Sequence, residues 1–189
     1  EQILLRDIAW SLARIPRFNG HTTGDVPWSV AQHSLLVESL LPNDASVATR
    51  IGALMHDAHE AYVGDMSSPV KMALDEQARA TVRNDKHEYF GVSSTYWNAI
   101  VAKLDAAISA ALGIASGTMT CKAVKDADLL ALAVEKHWLM APSRSEWAAA
   151  ALPLLPDPVP DLRPCHPPGR AGAVFLDRFR VLNDMRHGL

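Results

Sequence analysis

The sequence predicts an all-α fold, and three observations carry that expectation. Apolar residues recur three and four positions apart along most of the chain. No segment shows the strict apolar–polar alternation of a half-buried strand. The periodic runs are opened by Ser, Asn or Asp and closed by Pro or Gly, the punctuation of helices. With 189 residues, 49% of them apolar, the chain is long enough for one domain with a sizeable core.

Taken in order, Leu4, Leu5, Ile8, Leu12 and Ile15 form the first helical stripe, and Pro16 ends it. Ser29 with Gln32 has the form of a capping box, opening a helix to about Leu41 that Pro42 stops. Asn43 or Asp44 is placed to cap the next helix, which carries Val47, Ala48, Ile51, Leu54 and Met55 into His56 and Asp57. Gly64 and the Ser67, Ser68, Pro69 cluster mark a loop. Helical patterns resume over 76–89, over 97–112 and from Ala123 to Met140. Seven prolines between Pro153 and Pro168 predict irregular, polyproline-like surface chain, followed by a short helix over 173–185. The expectation is a compact helical bundle over residues 1–150, with 151–189 a Pro-rich arm and short helix packing on the same domain.

Composition narrows the function classes. A net charge of −3 and a pI near 6.2 give no basic footprint for a nucleic-acid backbone. No stretch approaches the ~18 uninterrupted apolar residues of a membrane span. Arg6 and Asp7 interrupt the apolar start, which argues against a secretory signal. Two cysteines, Cys121 and Cys165, favour a reducing, cytoplasmic setting and leave any metal to histidines and carboxylates.

Such residues concentrate in three stretches: Gln32-His33-Ser34, His56-Asp57-Ala58-His59-Glu60 and Lys125-Asp126-Ala127-Asp128. Imidazole nitrogen and carboxylate oxygen together suit Mn, Fe, Co, Ni or Zn, with Mg less at home beside two imidazoles. On a helix, His56, Asp57 and Glu60 share a neighbourhood. Glu60 then stands beside a metal held by His56 and Asp57, where it can take a proton from bound water.

In these motifs the sequence resembles the HD-domain phosphohydrolases, whose signature H…HD…D gathers four residues around one divalent cation. The resemblance runs from about Leu4 to Met140 and is strongest to the bacterial 5'-deoxynucleotidase and phage dATP triphosphohydrolase group. It rests on Ala31-Gln32-His33-Ser34, His56-Asp57-Ala58-His59-Glu60, Gly64-Asp65-Met66 with Pro69-Val70-Lys71, and Val124-Lys125-Asp126-Ala127-Asp128. It implies His33, His56, Asp57 and Asp128 as metal ligands for one divalent transition metal per chain. It favours Asp128 over Asp126, which reads as a solvated helix residue. Glu60 matches the family's catalytic acid, and Asp65 a second acidic residue near the attacking water. Lys71 and Lys125 match phosphate-holding positions, and Arg17 with Phe18 an Arg–aromatic pair at sugar and phosphate. The loop ending at Trp28 resembles the segment that shapes the nucleoside pocket, with core packing and base contact both open for Trp28.

The implied activity is removal of phosphate from 5'-(deoxy)nucleotides, mono- or triphosphate, such as dATP, by a cytoplasmic homo-oligomer (dimer or hexamer) of bacterial or phage origin. Two other readings stand beside it: a ppGpp-type or cyclic-nucleotide hydrolase of the same fold, and a non-catalytic HD-fold binding protein. His59 reads as a neighbour of the site or a surface residue. His21, His87, His137, His166 and His187 read as surface or structural. Trp10, Trp97, Trp138 and Trp147 read as core or oligomer interface.

Overall fold

The computed structural model describes residues 2–84, 92–141 and 152–189. Among these the chain is all-α: α1 Leu5–Leu12, α2 Val30–Ser39, α3 Val47–Met55, α4 Glu60–Val63, α5 Ser68–Asn84, α6 Val92–Leu112, α7 Lys122–Leu139 and α8 Pro168–His187. No described helix is long and apolar enough to cross a membrane.

Helix α2 is the axis of the fold. Its Ser29 cap accepts from the Gln32 amide, as the capping box predicts. Eight of its ten residues are buried, because α1, α3, α7 and α8 all pack on it. One apolar cluster joins α1, α3 and α8 through Ile8, Leu12, Ile51, Leu54 and Phe175. A second joins α2 and α7 through Leu36, Val37, Val124, Ala131 and Val134. At the buried end of α2, Glu38 ties α3 and α8 through Arg50 (2.9 Å) and Arg178 (2.7 Å). In α3, Gly52 permits close approach to the turn Thr118–Thr120: a Cβ there would lie 2.6 Å from the Thr118 carbonyl oxygen.

Several boundaries differ from expectation for local reasons. Helix α1 ends at Leu12, and turn-type backbone bonds carry the chain on to Ile15, whose N–H donates to the Ser11 carbonyl just ahead of Pro16. The cap of α3 is Ser46, whose Oγ accepts from the Thr49 amide at 3.1 Å; Asn43 and Asp44 lie in a turn closed from Ala45 to Pro42. His56 caps the C-terminus of α3, and the chain passes to α4 through tight three-residue bonds rather than continuing as one helix. Helix α5 starts at Ser68, eight residues earlier than the apolar pattern suggests, because Pro69 suits a first turn where its missing N–H costs nothing. The end of that expected helix, with His87 and Tyr89, lies outside the described residues, as does Trp147. Helix α8 likewise begins earlier, with Pro168 in its first turn.

The Pro-rich arm is irregular, but it is not merely surface chain. Leu162 is buried against the α2–α7 cluster, with Val159 and Cys165 beside it. The Arg163 guanidinium lies 4.0 Å from the centre of the Trp138 ring.

Candidate metal centre

Three segments deliver the four residues of the H…HD…D signature to one point. His33 comes from the buried face of α2, His56 and Asp57 from the end of α3, and Asp128 from the second turn of α7. His33 Nε2 lies 3.1 Å from Asp128 Oδ1 and 3.5 Å from Asp57 Oδ2. His56 Nε2 lies 3.2 Å from Asp57 Oδ2 and 3.9 Å from Asp128 Oδ1. Four donor atoms each about 2.1 Å from a common cation would lie roughly 3–4 Å from one another.

The imidazoles are fixed from behind. His33 Nδ1–H donates to Glu135 Oε1 at 2.7 Å, and His56 Nδ1–H to the Ala53 carbonyl at 2.8 Å, one of the orphan acceptors at the end of α3. Each ring therefore presents Nε2 to the cluster. Both Nε2 atoms are buried and make no hydrogen bond. Buried polar atoms without a partner are rare in folded proteins. Here the two lie with an Asp57 oxygen within 4.8 Å of one another, close enough to hold a metal ion, and Asp128 Oδ1 stands 3.1 and 3.9 Å from the two nitrogens.

Electrostatics follow from the same contacts. Burial opposes a charge on His56, but the Asp57 carboxylate, then Asp128, outweigh it and raise its pKa to about 9. His33 is raised as well, Glu135 and Asp128 prevailing over burial and the Arg17 charge. Asp57 is held well below the carboxylate range by His56, His33 and Arg17, against its burial. Asp128 is lowered too, chiefly by His33, again against burial.

Glu135 is the residue that motif reading misses. It is fully buried and binds His33, the Trp28 indole N–H (2.8 Å) and Arg17 Nε (3.2 Å). A signal exists in hindsight: Glu135 stands seven residues after Asp128, two turns on along the same helix face, among Ala131, Val134 and Leu139. Arg17 also lies 3.7 Å from Asp57 Oδ2. Burial works against its charge, yet Glu135 and Asp57 raise its pKa.

Beside the cluster opens a cleft of about 670 Å³ lined by Arg17, Phe18, Asp57, Glu60, Asp65, Lys71 and Asp128 among others. Phe18 reaches its wall because it and Asn19 adopt positive φ (54° and 53°), a costly conformation for a bulky residue. The Arg17 guanidinium lies 5.4 Å from the centre of the Phe18 ring. Glu60 is only 6% exposed, and its Oε2 has no partner. Burial, with the Asp57 and Asp65 carboxylates, pushes its pKa up to about 9. Asp65 follows Gly64, whose φ of 79° turns the chain out of α4. Burial is the main cause of its raised pKa, with Asp57 adding to it.

Two expected contacts fall elsewhere. Trp28 is 5% exposed and does not line the cleft; the bridge Arg17 N–H to Trp28 O (2.8 Å) folds it behind Arg17, onto Glu135. Lys125 is exposed on α7 and is absent from the cleft lining, although it precedes Asp128 by nearly a turn. His21, read as surface or structural, is exposed and lines the cleft. Asp126 is exposed and paired with Lys122 at 2.6 Å, as a solvated helix residue should be. His59 Nδ1–H donates to Asp105 at 3.0 Å, and His59 offers a ligand atom within 4.8 Å of atoms of Asp57 and Glu60.

No protein-family model matches the sequence. An uncharacterized protein of Rhodobacter capsulatus is 49% identical over 75 residues, 38% of each chain. Escherichia coli K12 has an uncharacterized protein, YfdR, that is 33% identical over 189 residues, covering 98% of this chain and 88% of its own. With that likeness sustained along nearly the whole length, the chain belongs to the YfdR family.

Proposed function

We propose that the chain is a divalent-metal-dependent phosphohydrolase of the HD-domain type that removes phosphate from 5'-(deoxy)nucleotides. One observation supports the reading: two buried imidazole Nε2 atoms without hydrogen-bond partners lie within 4 Å of carboxylate oxygens of Asp57 and Asp128, two residues that line the cleft. His33, His56, Asp57 and Asp128 would hold the ion, of the Co, Mn, Zn, Fe or Ni kind. A divalent ion so held supplies Lewis acidity and lowers the pKa of bound water to about 7.

The chain's own residues divide the remaining work. Arg17, fixed by Glu135 on one side and near Asp57 on the other, presents a cation to a phosphate entering the cleft. Lys71 adds a second positive charge at the cleft wall. Asp65 orients the attacking water. Glu60, buried at the cleft beside Asp57, exchanges a proton with the reacting oxygens. The two free cysteines fit a reducing, cytoplasmic site of action.

The test is a screen of ribo- and deoxynucleoside mono- and triphosphates with added Mn²⁺ or Co²⁺, identifying the phosphate species released. Turnover of at least one nucleotide, abolished by EDTA, is expected. Metal-loaded protein that turns over none of them would overturn the proposal.

A further inference from the structure

A second cavity adjoins the cleft at Lys71. Met66 and Lys71 also line this concavity of about 360 Å³ between α5 and α6, whose other walls include Leu74, Tyr96, Trp97 and Ile100. Its lining is mostly apolar, and large apolar side chains are left in water around it: Tyr96 is 67% exposed, and Leu74 and Ile100 are exposed as well. Contiguous exposed apolar surface beside a polar cleft marks a binding surface. The volume lies near the lower end of the ~300–1,000 Å³ range of small-molecule pockets.

We infer that this compartment takes the planar heteroaromatic base of the phosphorylated substrate, with Trp97 and Tyr96 as its specificity-determining residues. The inference rests on the phosphohydrolase reading above, which sets the phosphate between Arg17 and Lys71. Three features select a base as the occupant. The concavity adjoins the cleft, with Met66 and Lys71 lining both, so the phosphate and the ring of one molecule can fall on either side of Lys71. Lys71 stands at the junction, where an anionic group must sit if the flat apolar part lies beyond it. Trp28, at the end of the motif loop, is buried with its N–H committed to Glu135, and the Phe18 ring lies against the Arg17 guanidinium that the phosphate would meet. Trp97 is half-buried on the compartment wall, and Asn98 beside it carries an amide able to read a base edge.

The experiment compares dAMP with 2-deoxyribose 5-phosphate, which keeps sugar and phosphate but lacks the base. It uses the wild type, Trp97→Ala and Trp97→Phe, with calorimetric titration of deoxyadenosine as a readout that needs no turnover. The wild type should prefer dAMP in kcat/KM by about tenfold or more, within the range of one base stacking on one aromatic ring. Trp97→Ala should lose that preference and weaken deoxyadenosine binding by a similar factor, and Trp97→Phe should retain both. Equal losses on dAMP and the sugar phosphate, or deoxyadenosine binding that is absent or indifferent to Trp97→Ala, would overturn the inference. Light scattering completes the test: an oligomer that dissociates in Trp97→Ala with base preference intact assigns the face to a second copy and also overturns it. If neither phosphate ester is turned over, the phosphohydrolase reading fails, while the deoxyadenosine titration still decides the compartment.

Discussion

His33 and Glu135, 102 residues apart, meet in the core with the imidazole Nδ1–H on Glu135 Oε1 at 2.7 Å. The contact fixes the tautomer of His33, leaves Nε2 as the lone-pair nitrogen facing Asp57 and Asp128, and makes the ring a stronger donor. Glu135 therefore positions a ligand without touching the cleft.

Replacing Glu135 with Gln should weaken Co²⁺ or Mn²⁺ binding on the order of 10-fold, and Glu135→Ala on the order of 100-fold, the usual cost of losing a partner behind a metal-bound histidine. Glutamine can still accept from Nδ1–H but carries no charge. Glu135→Ala should also lower the melting temperature, since it strands the buried charge of Arg17. Metal titration of both variants checks this, and wild-type affinity in Glu135→Ala would contradict it.

His56→Ala and Asp57→Ala should each abolish stoichiometric metal. Each removes one of four convergent donors, and Asp57 also supplies the oxygen nearest His56 Nε2. Elemental analysis of the purified variants is the measurement; near-normal metal content together with turnover would dismiss the assignment.

Glu60→Ala should keep the metal and lose about 10²–10⁴-fold in rate, the range of a positioned acid or base. The outcome separates two roles that its geometry allows, since Glu60 also lies near Asp57 and His59. Metal and activity lost together would make it a ligand instead.

Much of this was legible in the sequence, and the parts that were not have physical reasons. His33, His56, Asp57 and Asp128 stand in short ordered motifs, α2 opens on a capping box, and α3 and α7 follow helical patterns, so their convergence could be expected. Glu135 stood outside every motif because its function is read only through a tertiary contact across helices. Trp28 was ambiguous because an indole serves equally as a stacking face and as a buried donor; the loop closure at Arg17 decides for the donor. Lys125 was read from its match to a phosphate-holding position, and such a match does not fix which side of a helix faces the cleft. The α5–α6 compartment depends on how two helices pack, which no local pattern encodes.

The metal-free protein should lose stability as pH rises toward 9. His56 titrates near 9 when folded against an ordinary 6.5, so its stabilisation is complete below 6.5 and is lost as pH passes through 9. Glu60 is raised from 4.5 to about 9, so it too disfavours the folded state progressively as pH rises across that window. Asp57, lowered when folded, adds stability above its ordinary 3.8 that is lost only in acid. Melting temperatures of EDTA-treated protein should therefore fall between pH 6.5 and 9. The gain on adding Co²⁺ should grow over the same interval, because the ion displaces the imidazole proton. A flat or rising melting temperature without metal would refute the assignment.

The two lysines of the phosphate motifs should behave differently. Lys71 lines both the cleft and the adjoining compartment, at the place where a substrate's phosphate and its ring would part. Its ammonium is a point charge that holds phosphate oxygens without regard to the base. Lys71→Ala should therefore raise KM about tenfold for every nucleotide, with the order of preference among bases preserved. Lys125 projects from an exposed position of α7 outside the cleft lining, where its field is screened within about a Debye length of 8–10 Å. Lys125→Ala should change KM no more than about twofold, and that small change should vanish at high salt, as expected for a distant exposed charge. Steady-state kinetics of both variants on a purine and a pyrimidine nucleotide, at low and high ionic strength, make the comparison. A larger effect from Lys125→Ala than from Lys71→Ala would mean that the phosphate enters from the α7 side of the centre rather than past α5.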